Sequence, residues 1–365
     1  MVRKTVLFVS TKGEKTSASN VRIKYFRQAL EANGYEVVNF EIGLSGFKKY
    51  LSYFFRSPPK NLIEAAKTAN LIITTSPTLL NAILSYKIAK KQGLPLIVDV
   101  RDIWEEYAKT AHSLMHSLGV VKRIVAEYYK ALKYASKILV VTEPMKRYYE
   151  NVLGNSDKVT VISNGTDVGT IKCDNTAKRK EDLVYLADLN HPYHNIEFLF
   201  SALKNSKLRL VVIGGGKHLA AMQREVQNLQ ITDNVSFAGW VPYEDLSSYL
   251  CMAKVGVVGR PFISNVGYLY AIPVKTYDYL AAGLPIVGYG PKNSALEEFI
   301  KRNTIGAYVA EPNPQILSRE LVKLVAEHEK YMSKARELAM NFDRRRLAQK
   351  VVEIVNNTLS RRPKI

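Results

Sequence analysis

The chain has 365 residues, 47% of them apolar, which is more than one core usually accommodates and points to two α/β domains. No apolar run approaches the roughly 18 residues of a membrane span, and the opening "MVRKTVLFVSTKGEK" reads as a strand and a loop rather than a signal peptide. The formal charge of +19 is uneven: residues 1–165 carry +12, residues 344–365 carry +6 and residues 166–343 only +1. Such a balance attracts nucleic acid, anionic lipid or phosphorylated substrates, and the dispersed basic residues without any recognised module argue against nucleic acid.

In chain order, "TVLFVS" predicts a strand and "NVRIKYFRQALEANG" a helix capped by Asn20 and stopped by Gly34. "YEVVNF" is the next strand. Residues 46–61, "GFKKYLSYFFRSPPKN", mix aromatics with lysines, as a membrane-interface segment or an excursion packed on its own domain would. Strands follow at "LIITTS", "LPLIVDV" and "KILVVT". "DVRDIWEE" sets charges directly after a buried strand, so Arg101 and Asp102 either face a ligand or pair with each other and cap the next helix. "VISNGTD" reads as a strand ending in an Asn-Gly turn, and the polar, aperiodic stretch from it to residue 182 reads as a linker.

The strand-helix pattern then restarts: "DLVYLA", "LRLVVIGGG", "VSFAGW", "VGVVGR", "PIVGYG" and "GAYVA" are strands, and the chain ends in a long helical stretch. Continuous β-branched runs alternating with helices predict parallel sheets covered on both faces, with ligands at the strands' carboxyl ends. His191 and His194 stand three residues apart around Pro192 with no third ligand nearby, which argues against a metal site. Gly214, Gly215 and Gly216 join a strand to a helix, as a phosphate cradle or a structural turn would. The dinucleotide fingerprint fails at Leu219 and the Walker spacing is absent. In "VKTYDYLAAGLPIV", Gly283 and Pro285 end a helix before a strand, which leaves Lys275 and Asp278 without a structural reason. Cys173 and Cys251 lie far apart without metal-ligand spacing and are expected to be reduced, as in a cytoplasmic protein. There is no Ser-His-Asp ordering, suggestive Cys-His pair or HExxH motif.

Together, "SNGTD", "LVVIGGG", "FAGWVPYEDLSSYL" and above all "PVKTYDYLAAGLPIV", preceded by "SPTLLNAILSYKIAKKQGLPLIVDVRDIW", resemble the retaining, nucleotide-sugar-dependent glycosyltransferases of family 4. The resemblance runs over nearly the whole chain. It implies the GT-B architecture, two Rossmann-like, doubly wound parallel-sheet α/β domains facing across a cleft. Residues 1–165 would receive the acceptor, residues 166–343 would bind the donor, and residues 344–365 would cross back to the first domain.

It also implies roles. Asp278 takes the place of the second of the family's paired glutamates, which holds the nucleotide ribose; Tyr270 stands where the first would be. The loop in which the family keeps an arginine and a lysine for the diphosphate reads "ADLNHPYHN" here, with Asp188 or Leu189 and His194 at those places. Arg260 and Lys275 are expected to replace the two cations, assisted by Gly214, Gly215 and Gly216, with Thr276 in the same donor set. Asp102 and Arg101 would orient the sugar or acceptor hydroxyl, and Gly13, Asn20 and Arg22 would lie toward the acceptor. The expected donor is a UDP- or GDP-linked sugar, the acceptor a glycan or a polyprenyl-linked sugar, and no metal or other cofactor is implied. The basic first half and tail fit a cytoplasmic protein peripheral on an anionic membrane surface. The competing readings are a GT-B nucleotide-sugar epimerase or hydrolase, and a non-catalytic nucleotide-sugar-binding subunit.

Overall fold

The computed structural model describes residues 3–12, 18–43, 58–75, 78–106, 119–154, 157–174, 179–190 and 194–360. Gly13, His191 and residues 46–57 of the aromatic stretch lie outside them. The chain forms two compact units, Met1–Ser163 together with Arg344–Ile365, and Asn164–Asp343.

The first unit runs β1 (Thr5–Thr11), α1 (Ala18–Ala32), β2 (Glu36–Ile42), α2 (Lys60–Lys67), β3 (Leu71–Thr75), α3 (Leu79–Gln92), β4 (Leu96–Val100), α4 (Val120–Tyr134), β5 (Lys137–Val140), α5 (Glu143–Leu153) and β6 (Val159–Val161). Its sheet is parallel in the order β2-β1-β3-β4-β5-β6. Every residue of β3 and β4 is buried, and their sequences are mostly apolar, with Thr74, Thr75 and Asp99 as the buried polar exceptions. Local signals end the helices: the Thr142 hydroxyl accepts the Met145 N–H at 3.2 Å to start α5, and Gly154 at φ +77° stops it.

The second unit runs β7 (Glu181–Leu186), α6 (Ile196–Leu203), β8 (Leu210–Ile213), α7 (Leu219–Asn228), β9 (Val235–Gly239), a 3-10 turn (Tyr243–Asp245) leading into α8 (Leu246–Leu250), β10 (Ala253–Gly259), α9 (Val266–Leu269), α10 (Lys275–Ala281), β11 (Ile286–Tyr289), α11 (Ala295–Asn303), β12 (Gly306–Val309), α12 (Pro314–Glu327) and α13 (Glu329–Met340). Its parallel order is β12-β11-β10-β7-β8-β9. The direction of winding therefore reverses between β1 and β3 in one sheet and between β7 and β10 in the other. A crevice opens at the carboxyl ends of the strands at each such reversal.

The last helix, α14 (Arg344–Ser360), returns to the first unit. Leu347, Val351, Val355 and Leu359, spaced by four, put one apolar face into a core with Phe8, Ile23, Phe26 and Leu30.

Three expectations need correction. Asn20 does not cap α1, because the helix begins at Ala18 and places it inside the first turn. The first chain crossing falls at Ser163/Asn164, and the polar stretch beyond it is not a free linker. Thr166, Asp167 and Ile171 are buried there, and Asp167 Oδ1 accepts the N–H groups of Gly169 and Thr170 at 2.9 and 3.2 Å. Asp167, Gly169 and Thr170 are spent on that turn.

The cysteines are also not free thiols: Cys173 and Cys251 form a disulfide. They stand 78 residues apart in sequence, and only the fold brings their Cα atoms to 5.2 Å. The expectation of a reducing, cytoplasmic setting rested on free thiols and loses that ground. No helix among the described residues is long and apolar enough to cross a membrane. Thiol labelling of the denatured protein should detect no free cysteine before reduction and two after it. The Cys173→Ser/Cys251→Ser double variant should lose about 2–4 kcal/mol of stability, since the bond closes a long loop. Two reactive thiols without reductant would show the bond absent.

Candidate functional site

In the second unit the β7/β10 reversal gathers an unusual set of side chains. Helix α10 is held across it by Tyr279, whose hydroxyl accepts the Leu186 N–H at 2.8 Å and donates to the Val257 carbonyl at 3.3 Å. The Tyr279 ring lies where a Cβ on Gly256 would sit, so that glycine admits it. This anchoring delivers Lys275, at the start of α10, to the end of β7. Its Nζ donates to the Leu186 carbonyl, lies 3.4 Å from His194 Nδ1 and sits 4.3 Å from the centre of the Tyr185 ring. Burial pushes the Lys275 ammonium well below the ordinary lysine range, and the neighbouring Arg260 guanidinium lowers it further. The Arg260 guanidinium also lies 5.5 Å from the centre of the Tyr268 ring.

His194 is fixed from beneath. Tyr185 donates its hydroxyl to the His194 carbonyl at 2.8 Å, and Tyr289 donates to the Asn195 carbonyl at 2.7 Å. Burial raises both phenols, so they remain neutral donors. Thr276, fully buried beside Lys275, has a hydroxyl with no hydrogen-bond partner among the described residues. Two cations and an imidazole thus share a semi-enclosed corner, an arrangement that favours binding of a multiply charged anion.

The glycine turn adjoins this corner through the same β7 end. Gly214 at φ +130° and Gly216 at φ +148° have backbones that side chains rarely adopt. A Cβ on Gly214 would strike the Ala187 carbonyl, and one on Gly216 the Leu189–Asn190 peptide. The N–H groups of Gly214, Lys217 and His218 are taken by Gly239 O, Asn190 Oδ1 and Leu189 O at 2.7, 3.1 and 3.1 Å. Close packing therefore accounts for Gly214 and Gly216, and among the described residues the amides of Gly215 and Gly216 are the ones left for a ligand oxygen. Trp240, 69% exposed, stands beside Gly215 and forms one wall of the turn.

Asp278 lies on α10, buried, with Oδ1 accepting the hydroxyls of Thr166 at 2.8 Å and Tyr243 at 3.0 Å. Of the three loop positions, His194 joins Lys275, Leu189 is buried in the apolar core, and Asp188 Oδ1 accepts the Asn190 N–H in a local turn. Among the described residues no cluster of His, Cys, Asp and Glu could hold a metal ion.

In the first unit the β1/β3 reversal is bridged by buried Asn81, which donates to Thr11 Oγ1 at 2.9 Å and to the Thr75 carbonyl at 3.0 Å. A further buried charge lies just before the predicted Arg101 and Asp102. Asp99, inside the strand, pairs with Arg22 at 2.9 Å and accepts the Thr75 hydroxyl at 3.0 Å. Arg22 is a helix residue, not a loop one. It also donates to the Ile162 and Ser163 carbonyls at 2.7 and 2.8 Å. That guanidinium is 7% exposed and is held by partners inside the unit, whereas it was expected to lie toward the acceptor. Burial lowers the Arg101 pKa, and the nearby Asp99 and Asp102 carboxylates partly restore it.

The family model described as "Glycosyl transferases group 1" matches residues 171–340, and that described as "Glycosyltransferase Family 4" matches residues 19–170. The chain belongs to the family-4 glycosyltransferases. Solved structures agree on the GT-B fold of this glycosyltransferase. Sucrose-phosphate synthase from Thermosynechococcus elongatus superposes with a TM-score of 0.76 at 15% identity, over 98% of this chain and 100% of its own. Anabaena Alr3699/HepE, solved with UDP, gives 0.70 at 15% identity over 97% and 100%. A glycosyltransferase from Rickettsia africae gives 0.71 at 14% identity over 99% and 100%. At such identities the likeness is one of fold alone. No curated protein matches the chain in sequence.

Missing from the sequence reading were Tyr185, Tyr279 and Tyr289, which place the corner's side chains. In strands and a buried helix, a tyrosine looks like any core aromatic. The usable signal was their number near the glycines at 256 and 259, where a Cβ would meet Tyr279 and Tyr289.

Proposed function

We propose that the protein transfers a sugar from a nucleoside-diphosphate donor to a glycan or polyprenyl-linked acceptor with retention of anomeric configuration. The observation that carries this is the corner of Lys275, Arg260 and His194 at the β7/β10 reversal of a family-4 chain. UDP is the favoured nucleotide over GDP, because HepE and the pneumococcal O-GlcNAc transferase GtfA were solved with UDP.

In this reading the diphosphate lies against Lys275, Arg260 and the Gly215 and Gly216 amides, and Asp278 holds the ribose. The bond from the anomeric carbon to the diphosphate oxygen breaks as charge grows on the leaving group, where the two cations offset it. The acceptor oxygen bonds to the same face of the anomeric carbon and passes its proton to the departing diphosphate. Arg101 and Asp102 orient the sugar or acceptor hydroxyl. The net charges of +12 and +6 fall on sequence belonging to the first unit, which favours an acceptor presented at an anionic membrane surface.

A panel of UDP- and GDP-sugars tests the proposal. One donor should raise the melting temperature and, with lipid-linked or glycan acceptors, yield a product whose anomeric proton coupling matches the donor's. A chelator should leave the rate unchanged. Product from donor alone at the same rate would favour an epimerase or hydrolase. Binding with no turnover would favour a non-catalytic subunit, a reading supported by Tyr270 standing in place of the first glutamate.

A further inference from the structure

We infer that Tyr243 is a positioning residue for the donor-site carboxylate of Asp278, resting on the reading above in which that carboxylate holds the ribose. Tyr243 opens the 3-10 turn after β9, remote in sequence from α10, yet its hydroxyl is the hub of the polar cluster around Asp278. It donates to Asp278 Oδ1 at 3.0 Å and accepts the backbone N–H of Asp167 at 3.2 Å. Because that N–H can only donate, the phenolic proton is directed to the carboxylate.

Thr166 completes the set. Its hydroxyl donates to the same Oδ1 at 2.8 Å, and its N–H to the Phe342 carbonyl at 3.0 Å. Thr166 also forms a parallel bridge with Asp343. Two hydroxyls on one oxygen fix both the plane and the direction of the carboxylate before any ligand arrives, so binding need not order it. Thr166 lies where the chain enters the second unit, and its backbone partners Phe342 and Asp343 lie where it leaves. The Cys173–Cys251 disulfide joins the chain just after Asp167 to the chain just after Tyr243, the two segments that the Asp167 N–H to Tyr243 hydroxyl bond also links. Half-buried Tyr243 packs beside the apolar cluster containing Tyr277 and Leu280 of α10, so removing its oxygen leaves the ring's packing in place.

The test is a double-mutant cycle read by calorimetric binding of UDP, and of GDP should UDP not bind. Tyr243→Phe should weaken binding about tenfold, the loss of one hydrogen bond to a charged group, without lowering the melting temperature appreciably. Asp278→Asn should weaken it at least as much, and the double variant no more than Asp278→Asn alone. Thr166→Val should resemble Tyr243→Phe, and Thr166→Ser should restore affinity. Wild-type affinity in Tyr243→Phe beside a weakened Asp278→Asn would overturn the inference while sparing the ribose reading. Effects that multiply in the double variant would also overturn it, because Tyr243 would then act other than through Asp278. Undiminished affinity in Asp278→Asn, or a wild type that binds neither nucleotide, would sink the donor reading itself and this inference with it.

Discussion

Replacing Lys275 by alanine is expected to lower the transfer rate about 100-fold, the usual cost of losing one preorganised group that stabilises a leaving charge. Among the described residues the ammonium has no carboxylate partner; it sits beside Arg260 and donates to the Leu186 carbonyl at the β7 end. The two neighbouring cations repel each other, and a diphosphate relieves that repulsion, most of all as its own charge grows. The pH dependence follows. The Lys275 pKa is held below the ordinary lysine range of about 10.4, so the charged form is lost at a lower pH than for a surface lysine. Donor affinity should therefore fall as pH rises through that lowered pKa. The alanine variant should lose this pH dependence over the same interval, because the titrating ammonium is gone. Wild-type rates in Lys275→Ala, or an unchanged alkaline limb, would remove this lysine from the reaction.

The second large effect is on stability. Arg22→Ala is expected to cost the first unit about 3–5 kcal/mol, because it strands the Asp99 carboxylate without its cation. Both partners are nearly sealed from solvent, at 7% and 1% exposure. The same substitution frees the Ile162 and Ser163 carbonyls at the point where the chain leaves the unit. Urea titration followed by a probe in the first unit measures the loss. Asp99→Leu combined with Arg22→Met should recover much of it, since two apolar groups leave no unpaired charge. Were Arg22 an acceptor ligand instead, alanine would reduce transfer and leave the urea midpoint in place.

The central strands of both sheets are legible in the sequence because they are short, mainly apolar runs, as strands of a parallel sheet covered on both faces must be. Lys275 and Asp278 stand out because a plain helix-stop-strand reading explains Gly283 and Pro285 and not them. What stayed hidden depends on pairs far apart in the chain. Arg22 meets Asp99 across 77 residues, Thr166 meets Asp278 across 112, and Cys173 meets Cys251 across 78. Periodicity and capping report on neighbours within a few positions, so contacts of this range leave no local mark. The tyrosine hydroxyls that set His194 and Asp278 fall in the same class: the ring explains the residue's presence, and the oxygen's task appears only once its acceptor has been brought near.

The return of α14 to the first unit bears on how the molecule is made. A ribosome releases residues 1–163 long before it reaches Leu347 or Val351, so the apolar flank of β1 and α1 waits uncovered while the whole second unit is synthesised. The second unit, continuous in the chain, can mature on its own schedule. The first remains unfinished until the final stretch emerges, and a nascent chain interrupted anywhere before residue 344 leaves a half-built fold for chaperones or proteases.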